Sequence, residues 1–215
     1  MPFTWRTGRR GLLTAAATAC TLTGSALLTL GLTDTATTPP PAPPAAATAP
    51  DQPETAAEPA PSSAGLPRSV PVRVTADRVG LAARIEAVGL AGDGSIALPK
   101  DADDAGWYTG SVTPGERGNA LVVAHVDDTD GPAAFYPLSS LKRGDRIEVN
   151  RRDGSTASFT VSGMQVHPRD DFPARVYRPT TRPRLTLITC TGWDPDTRTY
   201  QDNLVITAHL TNTAT

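Results

Sequence analysis

Cys190 and His125 are the two residues of this chain that could do covalent chemistry together, if the fold brings them to one place. Cys190 closes the apolar run "TLITC" (186–190) and is followed by a stretch rich in Gly, Asp and Thr. The other cysteine, Cys20, lies in an uncharged N-terminal segment, so the two are not expected to pair and Cys190 is read as a free thiol. A thiol attacks only as thiolate and needs a proton partner and a group to stabilise the oxyanion it creates. The competing reading is a buried cysteine acting as a small hydrophobe. His125 ends "ALVVAH" and precedes the polar loop "VDDTDGP". A histidine at the mouth of a strand is where a rigid scaffold would hold a general acid–base, although a hydrogen-bonded strand-end histidine fits the same pattern. Asp127 either orients that imidazole or is a surface carboxylate. His167, before Pro168, and His209, near the C-terminus, read as surface residues. With no HxxxH, HxH or CxxC pair, a zinc site is not expected. The acidic stretches "KDADDAGWY" (100–108) and "DDTDG" (127–131) do not fit an EF-hand loop.

The elements that must position these residues read as β. "GLAARIEAVGL" (80–90) alternates, "SIALP" (95–99) follows a Gly-Asp-Gly turn, and "NALVVAHV" (119–126) is a continuous apolar run, as expected of a strand buried on both faces. Residues 145–168 read as a hairpin turning at Asp153-Gly154. "RLTLITC" (184–190) and "NLVITAHLT" (203–211) are the last two strands, and the helix-like interval is 132–144. Seven or eight short strands with a minor helix predict an all-β closed barrel, with a sandwich left open by pattern alone.

The rest of the chain predicts how that domain is delivered. Arg6, Arg9 and Arg10 stand in a basic N-terminus (1–10) before an uncharged stretch at 11–32, long enough to cross a bilayer. Upstream arginines favour a cytoplasmic N-terminus and an exported remainder. Its length favours a retained anchor; its many small residues leave a cleaved signal open, and the Arg9–Arg10 pair resembles a twin-arginine signal. Residues 33–67 are Pro, Ala and Thr with little to bury, so a disordered linker is expected, reaching up to about 100 Å as polyproline II. Residues 68–215 are then the one folded domain. A net charge of −2 without a basic run gives no footprint for nucleic acid.

Several stretches in one order resemble the sortases, the membrane-anchored cysteine transpeptidases of Gram-positive bacteria. "TLITC" (186–190) matches their TLxTC pattern, and "AHVDDTDGPAAFYPLSSLKRGDRIEV" (124–149) matches their block of histidine, Phe-x-x-Leu-x-x-Leu element, Gly-Asp and strand. "GWY" (106–108), "PGERGNALVVAHVD" (114–127), "YQDNLVITA" (200–208) and the Pro/Ala-rich stalk are similar to class F sortases of actinobacteria. The resemblance spans about residues 68–211 and implies an eight-stranded sortase β-barrel that needs no cofactor. It implies that Cys190 attacks the carbonyl after the threonine of an LPxTG-like signal on a secreted protein, giving a thioacyl enzyme. His125 would then protonate the leaving amine and activate the incoming one, an amine of a peptidoglycan precursor. Thr189 would contribute to the substrate environment. The oxyanion arginine would be Arg198, which follows Cys190 by eight residues, with Asn203 in reserve as a neutral donor. The long segment 167–184 would shape recognition of the signal. The enzyme would be a single-pass membrane protein with its domain outside the cell.

Two other readings compete. An L,D-transpeptidase expects Ser-x-Gly before its cysteine and an arginine two residues after it, which "ITCTGW" lacks. A non-catalytic binding or scaffold module on the cell surface would bury Cys190 far from His125.

Overall fold

The computed structural model describes residues 64–214; the proposed anchor and most of the linker lie outside them. The strands are β1 (Pro71–Ala76), β2 (Leu81–Val88), β3 (Ala105–Tyr108), β4 (Gly118–Val123), β5 (Asp127–Asp128), β6 (Gly131–Pro132), β7 (Arg146–Arg151), β8 (Thr156–Pro168), β9 (Pro183–Asp194) and β10 (Thr199–Ala214). Eight of them close into a barrel in the order β1-β2-β3-β4-β9-β10-β8-β7, with β7 pairing back onto β1; β5 and β6 form a separate small ladder. Closure leaves no edge strand to template aggregation. The expected barrel is therefore found, and the sandwich is not.

Most neighbours are antiparallel, but β2–β3 and β4–β9 run parallel. The β4–β9 pair explains the unbroken apolar run at 119–126. Ala120, Val122 and Ala124 point into the barrel beside Leu185, Leu187, Leu204 and Ile206. Val123 points outward and packs with Val88, Ile188 and Val205 in a second cluster. Against this cluster lean Ile96 and Ala97 from the β2–β3 connection, and Phe172 and Val176 from the β8–β9 connection. All six residues of β4 are buried, its one polar side chain, Asn119, included.

Several local expectations are corrected. Residues 95–99 form no strand; only an isolated Leu90–Ile96 bridge forms there, with the Ala97 amide bonded to Gly89 O. The helix-like interval contains a single 3-10 turn, Tyr136–Ser140, which buries Leu138 and leads to the buried Leu141. The polar stretch after Cys190 is not a loop. The β9–β10 ladder runs on to the Asp194–Thr199 pair, and only four residues make the turn. β1 and β3 were missed in the sequence: β3 is four residues long, and β1 begins with a proline.

Candidate active site

Cys190 sits on β9 between two neighbours that fix its surroundings. On one side it faces Asn203 of β10, which in turn faces His167 of β8. On the other side runs β4, in parallel register with Val123 opposite Ile188. That register continues past the end of β4. The Ala124 amide bonds to Ile188 O at 3.4 Å, and the Thr189 hydroxyl donates to Ala124 O at 2.9 Å. Extended by one residue along each chain, the same register would set position 125 opposite position 190. Alternation along β4 also puts His125 on the outward side with Val123, as it puts Cys190 with Ile188. Two residues 65 positions apart in the chain thus both stand near one end of a parallel pair.

The imidazole is held by the β2–β3 connection. Its Nε2 lies 3.1 Å from Pro99 O. A carbonyl oxygen can only accept, so Nε2 carries a proton and Nδ1 is the basic nitrogen of the neutral ring. Asp127 does not orient this ring. Its carboxylate accepts the hydroxyl of Tyr200, whose ring packs 5.1 Å from Trp193. Burial, then Asp127, pushes the Tyr200 phenol well above its usual range. Because β9 lies between β4 and β10, this bond ties the segment after His125 to the strand beyond the cysteine.

The Cys190 thiol is half-buried, and its burial pushes its pKa up. The Arg169 guanidinium pulls it back down, and the Asp127 carboxylate adds to the rise. Arg169 was not singled out in the sequence. It follows β8 directly, its amide bonds to Gln201 O at 2.9 Å and its guanidinium donates to Tyr200 O at 3.2 Å. Arg198 occupies the β9–β10 turn, exposed, in a left-handed conformation with φ 53°. Its backbone lies beyond the Asp194–Thr199 rung, four residues of β9, or about 13 Å, past Cys190. Thr189 is buried with its hydroxyl committed to Ala124, so it aligns the two strands rather than facing a ligand. Asn203 is the ladder partner of Cys190 itself. His167 is half-buried, bonded to Gln165 and edge-on to Phe172, and burial pushes its pKa down. Gly192, two residues past the cysteine, has φ 70°, and a Cβ there would meet the Asp202 carboxylate at 2.4 Å. Glycine is required at that point by backbone and space together.

A free thiol on β9 and a histidine just past the end of its parallel partner β4 are the kinds of group that cysteine-type acyl transfer requires. Comparison with known proteins gives the chain a family. Residues 74–211 match the model of the Sortase domain, and the chain belongs to the sortase family of cysteine transpeptidases. Solved structures agree in fold. Sortase A of Listeria monocytogenes matches at 20% identity and TM-score 0.50, covering 68% of this chain and 90% of its own. A lid mutant of Corynebacterium diphtheriae sortase A matches at 20% and 0.52, covering 68% and 73%. Sortase C1 of Streptococcus agalactiae matches at 17% and 0.53, covering 66% and 67%. No curated protein matches significantly.

Proposed function

We propose that this chain is a class F-type sortase, held at the outer face of the cell membrane by residues 11–32, with Cys190 and His125 as its nucleophile and its acid–base. One observation supports the reading: the β4–β9 register, continued by the bonds of Ala124 to Ile188 and Thr189, runs up to the residues just before His125 and Cys190. Burial raises the pKa of the thiol, so attack requires a proton acceptor, and with Nε2 turned to Pro99 O the nitrogen of His125 left for that task is Nδ1. The sulfur then attacks the carbonyl after the threonine of an LPxTG-like signal. The C–N bond breaks, the imidazolium gives its proton to the leaving amine, and a thioester remains on Cys190. An acceptor amine, on this reading from a peptidoglycan precursor, attacks the thioester. Its proton passes to His125, and the thiolate leaves.

The cation that supports the oxyanion is, on this reading, Arg169 rather than Arg198. The charge of Arg169 acts on the sulfur, whereas Arg198 stands at the hairpin tip. Asn203, opposite the nucleophile, remains the neutral donor. Class F membership rests on the stretches at 106–108, 114–127 and 200–208; anchoring rests on the N-terminal segment, and no described helix is long and apolar enough to cross a membrane. Incubating the protein with an LPxTG-type peptide and an amine should yield the amide product and a thioacyl adduct on Cys190. Product formation that survives Cys190→Ala would overturn the reading.

A further inference from the structure

The outward face of β4 does not end with the cluster beside the cysteine. Upstream of Val123 it opens into a cavity of about 450 Å³ lined by Leu90, Ile96, Tyr108, Val112, Leu121 and Tyr177. Its walls come from the β2–β3 and β8–β9 connections, which also lean on the cluster around Val123, and from the β3–β4 connection; Ile96 belongs to both places. Leu90 and Tyr177, which are 57% and 45% exposed, both line this one cavity. Nothing in the acyl-transfer chemistry at Cys190 uses this space.

We propose that the cavity is a second peptide subsite, taking an apolar side chain of the substrate protein that lies one to three residues before the leucine of its sorting signal. The inference rests on the sortase reading above, and its ground is distance and direction. Leu121 and Asn119 stand four and six residues before His125, about 13 and 20 Å back along the strand at 3.3 Å per residue. A peptide bound in extended form has the same rise. With its threonine carbonyl at Cys190, the leucine of the signal is three residues back, and residues one to three before it reach the rungs of Leu121 to Asn119. The direction follows from the strands. β4 ends at Val123, so the two-strand floor made with β9 extends only backwards from the site, and the longer acyl side of the substrate is the part that needs a floor.

The experiment compares three peptides on the intact protein with a fixed acceptor amine: the bare signal, the signal preceded by Ala-Leu-Ala, and the signal preceded by Ala-Ser-Ala. The leucine peptide should be used about tenfold better in kcat/KM than the serine peptide, the effect of partly burying one aliphatic side chain. Leu90→Ser, at an exposed position, should erase that preference while leaving turnover of the bare signal unchanged. Equal use of the two extended peptides by wild type, or a preference that persists in Leu90→Ser, would overturn the subsite. A change in the acceptor's KM instead would assign the cavity to the acceptor and overturn it equally. No turnover of the bare signal would overturn the sortase reading itself, so the two failures are distinct.

Discussion

At the scale of residues, Cys190, the proposed nucleophile, is set against its own surroundings. Burial holds the proton on the sulfur, Asp127 strengthens that hold and Arg169 weakens it. Alkylation by iodoacetamide should therefore be slow at neutral pH and rise only above the ordinary thiol range. Arg169→Gln should move the midpoint of that rise upward and Asp127→Asn downward, while Arg198→Gln leaves it in place. On turnover, Arg169→Gln should lower kcat by about 100-fold, the usual cost of losing one oxyanion donor, and Arg198→Gln by less than about twofold. The same shift enters stability. The folded chain binds the Cys190 proton more tightly than the unfolded chain, so this contribution is fully present below the ordinary thiol pKa. It is lost as pH rises through the raised value, and Cys190→Ser should flatten that part of the stability profile. The sequence marked Cys190 and His125 as candidates, since each ends an apolar run beside a polar segment, and only the resemblance to sortases gave them their roles. It could not identify Arg169 or Pro99, whose roles exist only after β8 is laid beside β10 and the β2–β3 connection folds over the imidazole.

At the scale of elements, the parallel β4–β9 ladder makes the site, and two side chains lock it to its neighbours. The Thr189 hydroxyl fixes the end of the ladder at Ala124. Asn119 fixes its beginning: its Oδ1 accepts the Thr186 hydroxyl at 2.7 Å, and its Nδ2 donates to Val176 O at 2.8 Å. That second bond staples the β8–β9 connection, which carries Phe172 and Val176 over the catalytic face. Asn119→Ala leaves Thr186 and the Val176 carbonyl short of a partner and should cost about 1–3 kcal/mol, read by chemical denaturation. Its kinetic signature should be a raised KM for the sorting peptide with little change in kcat, because the wall loosens while the thiol and imidazole stay in register. Alternating and continuous apolar runs made β2, β4, β8, β9 and β10 legible in advance. The parallel pairing was not, since the chain between β4 and β9 contains other strands and only the closed barrel decides which two adjoin. The length of the β9–β10 hairpin was also hidden: its polar residues run as strand up to Asp194 and from Thr199, and the turn between them is closed by side-chain bonds such as that of the Thr197 hydroxyl to Asp194.

At the scale of the whole molecule, closure of the barrel depends on β7 meeting β1, and Arg151 secures the place where the chain enters. Its side chain is buried, with Nη1 bonded to Ser155 Oγ at 3.0 Å and Nη2 to Pro67 O. The Asp153 amide bonds to Ser69 Oγ nearby, at 3.2 Å. The Asp153-Gly154 turn that was readable in the sequence thus doubles as the seat of the entering segment. The strand order gives this turn one more property. A cut there leaves β7-β1-β2-β3-β4 as one contiguous sheet and β9-β10-β8 as another, with His125 on the first and Cys190 on the second. The strand ladders between the two halves are the β4–β9 and β7–β8 seams, and the proposed acid–base and nucleophile lie on opposite sides of the former. The protein is in this sense a natural split reporter: neither fragment alone can form amide product, and mixing them should restore it in proportion to the reassembled heterodimer, titrated by peptide turnover.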